Sequence, residues 1–132
     1  MYYLLDTHVC IWALADQSKL SARVKEILES DENGFFVSKM SFFEIAIKLK
    51  IGKLSEFNVS LDEFVDAVYK SGYNTLSVKD EHFKTYTTLN FAETHRDPFD
   101  RYLLAAAQSE NLSFITKDEK FDSYKNRYPI IW

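Results

Sequence analysis

Short apolar runs alternate with amphipathic stretches along this chain. Tyr2-Tyr3-Leu4-Leu5 is apolar and aromatic, stops at Asp6 and predicts a buried strand. Residues 9–15, with Ile11, Trp12 and Leu14, predict a short helix. Ser21 is placed to cap a second helix, in which Val24, Ile27 and Leu28 recur at helical spacing until 31–34 break it. Residues 35–38 predict the next strand. Ser41-Phe42-Phe43-Glu44 has the capping-box pattern, and its helix should run to Gly52. A turn is expected around Ser55 to Asn58. Ser60 or Leu61 then opens a helix with Phe64, Val65, Val68 and Tyr69 on one face, stopped at Gly72. Residues 73–76 predict a third strand, and 77–80 begin a helix with Phe83, Tyr86 and Leu89 inward. After a polar connection, Asp97 and Pro98 suit the cap and first position of an apolar helix running to about Glu110. Residues 112–116 predict a fourth strand, 118–124 a short helical segment, and 129–131 an edge strand. Strands that read as continuous apolar runs between helices indicate an α/β fold on a mainly parallel sheet covered on both faces.

Composition supports burial: 132 residues are 46 % hydrophobic and 16 % aromatic, enough for one domain spanning 1–132 with a substantial core. Three glycines and two prolines leave little material for a linker, and no repeat is evident. Asp6 cuts the first apolar run too short for a signal peptide or a membrane span, and no later run is long enough. A soluble, cytoplasmic protein with no membrane role is therefore expected. The single cysteine, Cys10, permits no internal disulfide and argues against a zinc–thiolate site. A net charge of −4 argues against a surface for broad nucleic-acid binding. It leaves a nucleic-acid substrate open if the acids are gathered in one site and neutralised there by metal.

In open parallel sheets, ligands bind beyond the carboxyl ends of the strands. Asp6 follows the first predicted strand and Asp118 lies just past the fourth. Glu44 is expected in the first turn of the helix after the second strand, and Asp100 in the first turn of the helix leading to the fourth. All four can converge on one edge. Two carboxylates ~4 Å apart repel by about 4 kcal/mol at an effective dielectric of 20, so such a cluster needs protons or a cation. An all-oxygen set suits Mg²⁺ or Mn²⁺, and phosphodiester hydrolysis is the chemistry such ions favour. Each acid also has an ordinary reading: Asp6 as a strand end, Glu44 as the return partner of a Ser41 capping box, Asp97 as an N-cap, Asp118 as a loop acid or cap. Asp97 is accordingly read as an accessory residue and Asp100 as the metal-site acid.

Thr7 and Thr116 can hold a water or phosphate near the acids, although threonine is common at strand ends. His8 is a substrate contact or a structural histidine. Lys48, Lys50 and Lys53 form a basic run, a solvated face or a phosphate track beside Glu44. Arg96 and Arg101 flank the acids, as substrate contacts or as salt-bridge partners of Asp97 and Asp100. Apolar side chains around Trp12, Phe42, Phe43 and Ile47 exceed what one helix face needs and suggest a groove for an amphipathic helix.

With these residues in place, the sequence resembles the PIN-domain proteins of the VapC-like toxin group. The likeness runs through Leu5-Asp6-Thr7-His8 with Trp12, Val37-Ser38 with Ser41, Glu44-Ile45-Ala46-Ile47-Lys48 to Gly52-Lys53-Leu54, His95-Arg96-Asp97-Pro98-Phe99-Asp100-Arg101, and Thr116-Lys117-Asp118 with Phe121. It implies an α/β/α sandwich, a Mg²⁺- or Mn²⁺-dependent endoribonuclease, a cognate antitoxin and a homodimer. The acids matching the family's metal site are Asp6, Glu44, Asp100 and Asp118. Phe43 stands where the group often has tryptophan, and Ala106-Ala107-Gln108 replaces Ala-Gln-Ala; neither removes an acid. Two alternatives remain: a catalytically silent binding module of the same fold, and an aspartate-based phosphotransfer protein. The second is disfavoured by His8 standing two residues after Asp6, where a second aspartate would be expected.

Overall fold

The computed structural model describes residues 1–54 and 57–132. Of the turn expected around Ser55 to Asn58, Ser55 and Glu56 therefore lie outside the described residues. Along the chain come β1 (Tyr2–Leu5), α1 (Thr7–Ala15), α2 (Ala22–Glu29), β2 (Gly34–Ser38), α3 (Lys39–Lys50), α4 (Leu61–Lys70), β3 (Asn74–Leu76), α5 (Asp80–Thr88), α6 (Pro98–Ser109), β4 (Ser113–Ile115) and β5 (Ile130–Ile131), with 3₁₀ turns at Gln17–Lys19 and Glu119–Tyr124. The five strands form one parallel sheet in the order β3-β2-β1-β4-β5. Among the described residues, no helix is long and apolar enough to cross a membrane.

Strand alternation divides the core into two layers. Tyr3 and Leu5 of β1 join Val9, Val24, Ile45 and Phe64 on one face, whereas Leu4 joins Leu103, Leu104, Phe114, Phe121 and Tyr124 on the other. Helices α1 to α4 thus cover one side of the sheet and α6, with α5 against it, covers the other, giving three layers. Ala105, Ala106 and Ala107 of α6 are fully buried, their small side chains letting this helix lie close to its neighbours.

Helix ends follow the sequence closely. Gly52 and Gly72 adopt φ of +74° and +85°, just past α3 and α4, the left-handed conformation that closes a helix without a Cβ clash. Two starts differ from expectation. Helix α1 begins at Thr7 rather than at residue 9, because Asp6 itself is the N-cap and accepts from the Thr7 N–H. Helix α3 begins at Lys39, capped by Ser38 through Met40 N at 3.1 Å, so Ser41 lies inside the helix and forms no capping box with Glu44. Glu44 consequently occupies the second turn, not the first. In α5 the inward stripe is 82 and 86, continued by Leu89 at the C-cap, so His82 is fully buried against α6 and Phe83, expected inward, is 48 % exposed.

Candidate functional site

Between β1 and β4 the chain changes direction across the sheet, and a cleft of about 460 Å³ opens at their carboxyl ends. Asp6, Glu44, Asp97, Asp100 and Asp118 all line it, together with Lys48, Lys117, Lys120, His8 and Trp12. The four acids expected at one edge therefore share one cavity, and Asp97 joins them.

Each carboxylate is aimed by its own local structure. Asp6 extends the sheet ladder through its N–H to Ile115 O at 2.9 Å, and its side chain accepts from Thr7 N at 2.7 Å and from Thr116 Oγ1 at 2.7 Å. Glu44 comes from α3, and its Oε1 lies 2.8 Å from the Thr7 hydroxyl, which also lies 2.8 Å from Ser41 Oγ. A carboxylate only accepts, so Thr7 donates to Glu44 and takes its second contact from the Ser41 hydroxyl. Lys48, one turn on, donates to Glu44 Oε2 at 2.8 Å. Asp97 caps α6, accepting from Phe99 N at 2.8 Å and Asp100 N at 3.3 Å. Asp118 caps the last 3₁₀ turn through Lys120 N at 2.9 Å, while its own N–H donates to Thr116 Oγ1 at 3.1 Å.

Asp100 stands differently. Its N–H takes the Asp97 cap, and its side chain turns inward to His95, with Nε2 3.3 Å from Oδ2. Burial first, then the charges of Asp6, Asp97, Asp118 and Glu44, push its carboxyl up to about 8. Asp6 rises to about 6 by burial, against the opposing hydrogen bonds from Thr116 and Thr7. For Lys48, burial favours the neutral amine but is outweighed by Glu44, so its affinity for the proton rises.

Thr7 and Thr116 sit behind the acids rather than in the cleft lining, positioning Glu44, Asp6 and Asp118. Arg101 is a correction to the expected substrate contact. It is not among the cleft-lining residues, and its guanidinium donates to the carbonyls of His95 and Ala92 and packs 4.9 Å over the Phe91 ring. Arg96 is exposed and donates to Glu93 O at 2.9 Å, outside the cleft lining. Neither arginine pairs with Asp97 or Asp100. Lys117 and Lys120, not singled out in the sequence, supply cleft cations; Lys117 Nζ lies 5.5 Å over the Trp12 ring. Their only sequence signal is adjacency to Asp118.

The donor set is all oxygen and suits a hard divalent cation: five carboxylates on one cavity, two of them driven toward the neutral form by burial and mutual repulsion. The fit lies in that donor chemistry. Among the described residues, no three acid, histidine or cysteine side chains already converge as a coordination shell, and no buried side-chain polar atom lacks a partner.

A sequence model described as the PIN domain matches residues 3–126. No curated protein matches the sequence. Solved structures with the same fold include VapBC-1 from nontypeable Haemophilus influenzae, at TM-score 0.66 and 19 % identity over 99 % of this chain and 97 % of that one. VapBC2 from Rickettsia felis, bound to a DNA fragment from their promoter, gives 0.65 and 16 % over 99 % and 98 %. VapBC-5 from Mycobacterium tuberculosis, a member of the VapBC family of toxin-antitoxin systems, gives 0.63 and 19 % over 98 % and 95 %.

Proposed function

The chain belongs to the PIN-domain family, and from that premise we propose that it is a Mg²⁺- or Mn²⁺-dependent endoribonuclease, the toxin of a toxin–antitoxin pair acting in the cytoplasm. The observation that carries the proposal is the convergence of Asp6, Glu44, Asp100 and Asp118 on one cleft at the carboxyl edge of β1 and β4, with Asp100 driven up to about 8.

Those four acids would hold the ion, and Asp97 supports them as the cap of α6. When bound, the ion supplies Lewis-acid polarisation of a phosphate and lowers the pKa of an attached water. The protein supplies orientation and charge. Thr116 and the Thr7 N–H fix both oxygens of Asp6, and Thr7 fixes Glu44 Oε1. Lys48, Lys117 and Lys120 line the same cleft and offer cationic contacts to the phosphates on either side of the scissile one. At neutral pH without metal, Asp100 keeps its proton, which a cation would displace.

The antitoxin proposal is supported by the shared fold with VapBC structures and by apolar surface beside the cleft. Phe43 is 56 % exposed, and Trp12 borders a second cavity of about 360 Å³ with Ile11, Leu54, Phe57 and Val59. Trp12 and Phe42 pack against the core yet stay, like Ile47, only partly buried, so the apolar excess seen in the sequence is not wholly absorbed by the core. A homodimer is proposed on family likeness, with sedimentation as its check.

One observation favours a silent binding module instead: Lys48 already neutralises Glu44, at 2.8 Å. Incubating the purified chain with RNA and Mn²⁺, with and without chelator, decides between the two. Cleavage that chelator and Asp6→Asn both abolish supports the nuclease, and no cleavage by the wild type supports the silent module. Growth arrest on expressing the chain alone, relieved by the adjacent gene, tests the toxin role.

A further inference from the structure

The fully buried His95 has a use that neither family membership nor the acid cluster assigns. It lies in the connection before α6, its ring centroid 4.5 Å from that of Phe121, nearly perpendicular to it, and 5.5 Å from that of Tyr124. Its Nδ1 is 3.1 Å from Tyr124 Oη and its Nε2 is 3.3 Å from Asp100 Oδ2. The same Tyr124 hydroxyl accepts from Ala92 N at 2.8 Å. With that lone pair occupied by an N–H, the hydroxyl's own hydrogen is free to go to Nδ1, which leaves the ring proton on Nε2, pointed at Asp100. Arg101 clamps the connection from outside, holding the carbonyls of His95 and Ala92. The ring is thus fixed by side chain and backbone alike.

We propose that His95 is a positioning residue for Asp100: the Tyr124–His95 pair presents a fixed N–H to Oδ2 and so turns Oδ1 of the carboxylate toward the cleft. The proposal rests on the metal-site reading of that cleft. Hydrogen-bond partners behind a ligand orient it, and losing one typically weakens metal binding by about 10- to 100-fold. A histidine buried only for packing would contribute to stability and leave metal affinity alone.

The test uses the whole chain and Mn²⁺ alone. Nitrogen-15 NMR of the wild type at a pH above about 8, where Asp100 is ionised, should show His95 as the Nε2–H tautomer, and the Nδ1–H tautomer there would overturn the proposal whether or not any variant folds. Calorimetric Mn²⁺ titration of folded His95→Phe should show binding weakened by about tenfold or more. His95→Gln, whose amide can donate from nearly the same place, should recover most of it. Tyr124→Phe should release the tautomer and weaken Mn²⁺ in the same direction. Wild-type Mn²⁺ affinity in His95→Phe would overturn the role of His95 while leaving the metal site standing. Absence of saturable Mn²⁺ binding by the wild type would instead overturn the metal site, and the proposal with it.

Discussion

The hydroxyl of Thr116 donates to Asp6 Oδ2 over 2.7 Å, joining the ends of two neighbouring strands 110 positions apart in sequence. It is the foremost of the interactions that keep Asp6 from rising further than about 6. Thr116→Val keeps the shape and removes the donor, so Asp6 should hold its proton to higher pH. The acid limb of the cleavage-rate profile should shift upward, and urea melts should show a cost of about 1–3 kcal/mol, because Asp118 N also loses its acceptor.

Asp100→Asn and Asp97→Ala should separate catalysis from capping. Without metal at pH 7 Asp100 is largely protonated, so asparagine is a close neutral substitute, and stability should change by less than about 0.5 kcal/mol while cleavage is lost. Asp97→Ala removes the acceptor of two helix N–H groups and should cost about 1 kcal/mol with partial loss of activity. Thermal melts and cleavage rates on both variants check this pair, and a stable but inactive Asp97→Ala beside an active Asp100→Asn would reverse the two roles.

Stability of the metal-free protein should fall as pH rises. Asp100 and Asp6 hold protons in the fold up to about 8 and about 6, whereas unfolded aspartate releases them near the ordinary value of 3.8. Between these limits the folded state binds more protons than the unfolded state, which makes the slope of stability with pH negative. The contribution is fully present below the unfolded value and lost through the folded one. Mn²⁺ should raise Tm more at pH 8 than at pH 5, and Asp100→Asn should flatten the metal-free dependence. A Tm set at each pH, with and without Mn²⁺, measures all three.

Thr7→Val should loosen Glu44. The Thr7 hydroxyl joins Ser41 to Glu44 within the buried region, and its loss leaves a carboxylate oxygen and a serine hydroxyl short of a partner. A cost of about 1–3 kcal/mol is expected, with slower cleavage, and Thr7→Ser should restore both. Denaturant melts and single-turnover rates are the measurements.

Much of the fold was legible because its signals are local. The strand runs, the glycines past α3 and α4 and the Asp97–Pro98 start of α6 declare themselves within a few residues. The start of α3 is not legible because Ser38 and Ser41 offer the same hydroxyl, and only the abrupt passage from β2 into the helix decides which one caps. His82 does not stand out beside Phe83, because hydrophobicity favours the phenylalanine, while the partners Tyr102 and Glu110 that make His82 burial favourable lie 20 and 28 residues away. The shared edge of the four acids was legible through topology, since ends of parallel strands lie side by side. The direction of Arg101 was not, because nothing in the sequence shows that the loop carbonyls, rather than Asp97 or Asp100, take its guanidinium.

The sheet order has a kinetic consequence. Strand β1 is made first yet lies at the centre, with β4 as one neighbour, so its second edge stays open until synthesis has passed residue 115. Long-range parallel pairing of this kind forms slowly, after the intervening chain has been ordered. The acids at 6 and 118 therefore meet late in folding, only once β4 has taken its place beside β1. A cleft built this way stays incomplete until the segment that carries Asp118 has docked beside Asp6.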